Sequence, residues 1–222
     1  ATPGALSPGS EQARLPQDAL LRTFERFYEN VRGRATGEVA YKDYTPYEWR
    51  TVGSMVRLGW RARAHELVNA YMRDRRPDGW NQWAEVVNRD PRAPRFLGDM
   101  PHAWVASDFL RSILDMFAYE RAADESLVVG AGIPARWIEA GRGIAVKGLG
   151  TAYGPLEFSM RDDGETVLVS IAGGIRPPPG GLRVTWPGAG APATVTVDGA
   201  PASIENGEVV VRHAPARIAM TR

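Results

Sequence analysis

The segment Gly79-Trp80-Asn81-Gln82-Trp83-Ala84-Glu85 places two indoles, two amides and a carboxylate side by side. Aromatic faces stack on the C–H faces of sugar rings, and amides such as Asn81 pair with hydroxyls. A carboxylate set among rings has its charged form disfavoured, which suits a group that moves protons. Downstream, Gly98-Asp99-Met100-Pro101-His102-Ala103-Trp104 carries Asp99, His102 and Trp104 to the start of a predicted helix, where the positive end of the helix dipole faces a bound group. Tyr47 and Glu48, with Tyr41 and Tyr44 before them, supply similar groups at the start of an earlier helix. Each residue also has a plainer reading. Trp80, Trp83 and Trp104 could be core, Glu85 a loop cap, Glu48 half of a capping box, Asp99 an N-cap and His102 a structural imidazole.

Four helices are expected to position these groups. Pro16 opens the first, with Leu20, Phe24, Phe27 and Val31 at helical spacing to about Arg32. Thr45-Pro46-Tyr47-Glu48 starts the second, which carries Trp49, Val52, Gly53 and Val56 and stops near Gly59. The third runs from about Arg61 to Arg75 and ends at Pro77-Asp78-Gly79; after an irregular stretch from Trp80 to Gly98, the fourth spans Pro101 to Arg121. Short and long connections alternate, so the four read as two helical hairpins. From Ala140 the hydrophobic period becomes two. Strands are expected at Gly143–Lys147, Leu156–Arg161, Thr166–Ile171, Leu182–Trp186, Thr194–Val197, Val209–Arg212 and Arg217–Met220. Turns at Asp163-Gly164, Asp198-Gly199 and Asn206-Gly207 separate several of them, the signature of an antiparallel β-sandwich. The expected organisation is therefore α + β and multidomain: a flexible lead over 1–14, helical hairpins over 15–132 and a β-sandwich over 133–222.

Composition supports the division. Five of the seven Trp precede residue 130, and the later segment is rich in Gly, Pro, Val and Thr. A net charge of +1 gives no global attraction to nucleic acid or anionic membrane. No apolar run reaches the length of a spanning helix. The absence of cysteine excludes disulfides and thiolate chemistry. No His, Asp and Glu fall at metal-ligand spacing, so neither a metal nor a cofactor is expected. Gly148, Gly150 and Gly154 read as strand turns, because no helix follows them to form a phosphate loop.

Over GWNQWAEVV and then GDMPHAWVASDFLRSILDMFAYER, with β-strands following, the chain resembles the end of a six-hairpin (α/α)6-barrel glycoside hydrolase, the α-L-rhamnosidase type above all. The layout agrees over residues 16–220, the specific motif over 79–104. The resemblance implies that the hairpins are part of such a barrel, that Glu85 is the general base of an inverting hydrolysis and that His102 contacts sugar. Trp80, Trp83 and Trp104 become subsite walls, with Asn81, Asp99, Tyr47 and Glu48 as further substrate contacts. A full barrel has twelve helices, and inversion needs a general acid about 6.5–9.5 Å from the base. The acid is expected on an N-terminal remainder, so the chain alone is expected to be inactive. A carbohydrate substrate and that remainder are the expected partners, in a periplasmic or secreted setting. Two rivals stay open: a non-catalytic carbohydrate-binding or interaction module, and a polysaccharide lyase using a Tyr or His base.

Overall fold

The computed structural model describes residues 15–75, 79–90, 92–93, 99–139 and 141–222. The expected flexible lead, and Pro77, Asp78 and Gly98, lie outside those residues. Among the described residues two compact units separate between Asp115 and Met116.

In the first unit, α1 (Gln17–Thr36) buries Leu20, Phe24, Tyr28 and Val31 along one face. Tyr28 takes the buried position rather than Phe27, which is half-buried. The helix runs a turn past its expected end. It stops at Gly37, whose φ of 88° is a left-handed conformation that a residue with a Cβ adopts at a cost. Next come β1 (Asp43–Tyr44), a 3-10 turn over Pro46–Trp49 and α2 (Arg50–Arg57). Thr45 does cap this start, its Oγ1 accepting from the Tyr47 N–H at 3.4 Å. Glu48 does not complete a capping box. Its carboxylate accepts instead from the Arg34 guanidinium and, at 3.3 Å, from the Tyr71 hydroxyl. Then α3 (Arg61–Met72) buries Ala64, Leu67 and Tyr71. The stretch expected to be irregular contains β2 (Val87–Asn88), paired antiparallel with β1 so that Tyr44 lies opposite Val87. Last comes α4 (Ala103–Phe117).

Side-chain pairs fix the helix directions. Arg63 pairs with Glu25 and Tyr28 with Glu66, a constant offset in number, so α1 and α3 run parallel. Arg50 pairs with Asp108 and Arg57 with Asp115, again at constant offset, so α2 and α4 run parallel to each other. Glu48 at the head of α2 meets Arg34 and Tyr71 at the tails of α1 and α3, so the second pair is antiparallel to the first. Gly53 is where α2 and α4 come closest: a Cβ there would stand 2.8 Å from an Asp115 carboxylate oxygen and 3.3 Å from Ser112 Oγ. Trp49 fills the centre, with Phe109, Tyr71 and Trp83 around it at ring-centroid distances of 4.9, 5.4 and 5.4 Å.

The second unit begins earlier than the expected boundary at residue 133. The fourth helix stops at Phe117 rather than Arg121, because β3 (Ala118–Arg121) and β4 (Ser126–Val129) form a hairpin that belongs to a sheet. There follow β5 (Ile144–Thr151), β6 (Gly154–Asp162), β7 (Thr166–Ile171), β8 (Leu182–Thr185), β9 (Thr194–Val197), β10 (Ala200–Pro201), β11 (Ile204–Glu205), β12 (Glu208–Val211) and β13 (Ala216–Thr221). One sheet has the order β10-β9-β13-β7-β6-β5, the other β11-β12-β8-β4-β3. Among the described residues all strand pairs are antiparallel except β4 with β8. Alternate residues of β6 (Leu156, Phe158, Met160) and residues of β8 and β12 (Leu182, Val184, Val209, Val211) share one apolar core, so the sheets face each other as a sandwich. At Asp198-Gly199 and Asn206-Gly207 both residues have positive φ, the turn geometry whose twist matches paired strands. The described chain is thus α+β, with four α-helices, the small β1–β2 ribbon and two larger sheets rich in antiparallel pairs.

Candidate functional site

Because α2 and α4 run parallel, their N-terminal ends lie at the same end of the helical unit. There Glu85, Asp99 and His102 each offer one carboxylate or imidazole atom, all within 4.8 Å of one another. Asp99 Oδ2 lies 2.9 Å from His102 Nδ1, and Tyr47 Oη lies 2.7 Å from His102 Nε2. A carboxylate only accepts, so the imidazole donates its Nδ1–H to Asp99, and the Tyr47 hydroxyl pairs with Nε2. The rings of Tyr47 and His102 meet edge-on at 5.5 Å, and the exposed Trp104 indole stands edge-on to His102 at 6.1 Å.

Buried neighbours hold Glu85 in place. Trp83 and Ala84 before it and Val87 after it are buried, and β2 is pinned to β1. Trp83 packs 4.5 Å from Phe109 and 5.4 Å from Trp49. That packing leaves Glu85 half-buried beside Tyr47. Loss of solvent and the Glu85 carboxylate push the Tyr47 phenol above its ordinary pKa, and the Arg50 guanidinium pulls the other way. Arg50 lies 4.9 Å from the Tyr47 ring centroid and is itself held by Asp108, its Nε 3.0 Å from Oδ2.

The structure therefore joins Tyr47, Glu85, Asp99, His102 and Trp104, and buries or engages Trp83, Glu48 and Asn81 in other contacts. Trp83 is 6% exposed and belongs to the core, so it is not a wall open to ligand. The Glu48 carboxylate is committed to Arg34 and Tyr71. Asn81, exposed at a φ of 54°, accepts from Arg75 at 2.8 Å. Trp80 is 57% exposed, its ring open to solvent. Spacing in the sequence gave no metal pattern, yet Glu85, Asp99 and His102 form a set that could approach a cation. Both His102 nitrogens are already engaged by Asp99 and Tyr47, however. Arg50 and Asp108 were missed as neighbours of the site. The local clue was the three-residue spacing of Tyr47 and Arg50, which puts them on one face of a helix.

Chemically the cluster offers a half-buried carboxylate, an oriented imidazole, a phenol and an exposed indole. That set can accept protons, bind hydroxyls and stack on a ring. No protein-family model matches the chain, and no curated protein matches it.

Proposed function

We propose that this chain is the C-terminal part of an inverting glycoside hydrolase of the six-hairpin (α/α)6 type, most like the α-L-rhamnosidases, and that its helices are two hairpins of that barrel. In this reading Glu85 is the general base that activates water. His102, Asp99, Tyr47 and Trp104 hold the sugar, and an N-terminal remainder supplies the general acid. The observation that carries it is the meeting of Glu85, Asp99, His102 and Tyr47 where the parallel helices α2 and α4 begin. The alternation of helix directions supports an array of inner and outer helices, with α2 and α4 as the inner pair.

The test is Glu85→Gln in the parent enzyme, which keeps the side chain's size and removes its basicity. Turnover falls by about 10²- to 10⁴-fold, the usual contribution of a general base, while KM stays within a few-fold. Near-wild-type kcat in that variant rejects Glu85 as the base. Saturable sugar binding by the chain with no turnover in the parent protein would instead favour a carbohydrate-binding module.

The hydrogen-bonded series Tyr47–His102–Asp99 favours a second reading, a polysaccharide lyase. There His102 would take the Tyr47 proton, leaving the phenolate to abstract the proton next to a uronate carboxyl as the glycosidic C–O bond at the β-carbon breaks, and the imidazolium would return its proton to the departing oxygen. Elimination makes an unsaturated product that absorbs in the ultraviolet, and hydrolysis does not, so the absorbance of the products separates the two.

A further inference from the structure

Two charged residues border the Glu85 cluster and have no part in the proposed reaction. Arg50 opens α2, and Asp108 lies in the second turn of α4. Arg50 donates from both Nε and Nη2 to a single oxygen, Asp108 Oδ2, at 3.0 and 2.5 Å. Further along the same two helices, Arg57 donates to both oxygens of Asp115, Nε to Oδ2 and Nη2 to Oδ1, each at 2.9 Å. The helices thus carry the same pair twice, with different geometry.

Arg57 and Asp115 meet fork against fork, the arrangement that suits a guanidinium and a carboxylate. At Arg50 the difference is Tyr47. The Arg50 guanidinium carbon lies 4.9 Å from the Tyr47 ring centroid, so this guanidinium serves an aromatic face as well as a carboxylate. Tyr47 projects from a single 3-10 turn, Pro46–Trp49, and its ring turns about two side-chain bonds. Its Oη is 2.7 Å from His102 Nε2, and His102 Nδ1 is 2.9 Å from Asp99. A hydrogen bond fixes the tip of the phenol but not the plane of its ring. Arg50 against the ring supplies that second constraint, and Asp108 holds Arg50. His102 leads directly into α4, its carbonyl accepting from the Ala106 N–H at 3.1 Å. One element therefore grips Tyr47 at its tip through His102 and at its face through Asp108 and Arg50.

We propose that Arg50 and Asp108 are positioning residues, which hold the Tyr47 ring and through it set the orientation of the His102 imidazole beside Glu85. Their effect on sugar binding passes through Tyr47 and His102, and in that respect the inference rests on the reading of the cluster as a sugar site.

The experiment records the imidazole nitrogen resonances of the isotopically labelled 222-residue chain, whose three histidines are His65, His102 and His213. His102→Gln assigns the His102 signals by their loss. Tyr47→Phe, which removes only the hydroxyl, gives the direction in which they move when the contact is broken. Arg50→Gln and Asp108→Asn are each expected to move them in that same direction, with His65 and His213 unchanged. One variant removes a positive charge and the other a negative one, so a direct electric effect would displace the signals in opposite directions. Opposite displacements, or unmoved His102 signals in folded variants, overturn the proposal and leave the pair as a tie between helices. In the parent enzyme both variants are expected to raise KM by about fivefold with kcat within about threefold, the mark of lost uniform binding. An unchanged KM in both overturns the pair's part in sugar binding. Shifted His102 signals with near-wild-type turnover in Glu85→Gln would reject the base and keep the positioning pair. Unmoved signals with an inactive Glu85→Gln would do the reverse.

Discussion

The two units bury charge and expose apolar surface in opposite ways. In the helical unit, ion pairs tie one helix to another from inside: Arg57 and Asp115 are 6% and 11% exposed and joined by two hydrogen bonds of 2.9 Å. In the sandwich the interior is largely apolar, its buried Asp162 answered by the half-exposed Arg222, and Arg121, Arg183, Asp124 and Glu208 form a network with more solvent access. Among the described residues every exposed large hydrophobic, from Leu15 to Leu114, lies in the helical unit. The sandwich closes its own apolar surface. The helical unit leaves one face of α4 open at Trp104, Leu110 and Leu114. A β-sandwich completes its core with two sheets, whereas a layer of hairpins continues until its last helix is covered.

The contrast predicts its largest effect at Asp115. Asp115→Ala takes from the buried Arg57 guanidinium the carboxylate that accepts two of its hydrogen bonds, a defect that typically costs about 3–5 kcal/mol. Five of the seven Trp precede residue 130, so tryptophan fluorescence in a urea titration reports mainly on the helices. Its midpoint is expected to fall sharply while the β-sheet circular-dichroism signal keeps its own. Adding Arg57→Met to Asp115→Ala recovers much of the loss, because no charge is then stranded. An unshifted fluorescence midpoint in the single variant would show that the buried pair is not what joins α2 to α4.

The sandwich network makes a milder, pH-dependent prediction. Burial raises the Asp124 carboxyl, but hydrogen bonds from Arg121 and Ser126 and the charges of Arg121 and Arg183 outweigh it and hold it down at about 2, against an ordinary 3.8. A pKa lowered by folding contributes stability above the ordinary value and loses it as pH falls toward the folded one. The sandwich's urea midpoint is therefore expected to decline between pH 4 and pH 2. Asp124→Asn flattens that part of the decline, and solvent access keeps the effect small. A profile identical in the variant and the parent chain would remove Asp124 from the acid response.

Which features were legible in the sequence follows from the range of the interactions that make them. Local signals stood out: the stripe of Leu20, Phe24 and Val31, Pro46 behind its Thr45 cap, and the Asp198-Gly199 and Asn206-Gly207 turns. The hairpin of β3 and β4 did not. Ala118–Arg121 continues the apolar pattern of α4, and Ser126–Val129 is buried at every position, so it shows no alternation. Its assignment rests on a parallel pairing with β8, more than fifty residues away in sequence, that no local window contains. At the site, Glu85 was recognised as a carboxylate set among indoles and amides, and Asp99 and His102 by type and by nearness to a helix start. Trp83 and Glu48 looked equally suitable, because residue type does not reveal that Trp83 fits between Trp49 and Phe109 or that Arg34 reaches Glu48.

The smallest effect tests the open face of α4. Leu110 and Leu114 are 57% and 45% exposed, so replacing both with Gln, which has similar helix propensity, removes little burial from this chain. The stability of the helical unit is expected to change by less than about 0.5 kcal/mol, as for most surface substitutions. In a parent barrel the same face would lie under the next hairpin, and full burial of a Leu contributes about 1.5–3 kcal/mol. The double variant should then lower the parent's unfolding midpoint clearly while leaving that of the isolated chain almost unmoved. Equal and negligible changes in both would mean that nothing packs on α4, and the helical unit would stand as a closed module rather than as part of a barrel.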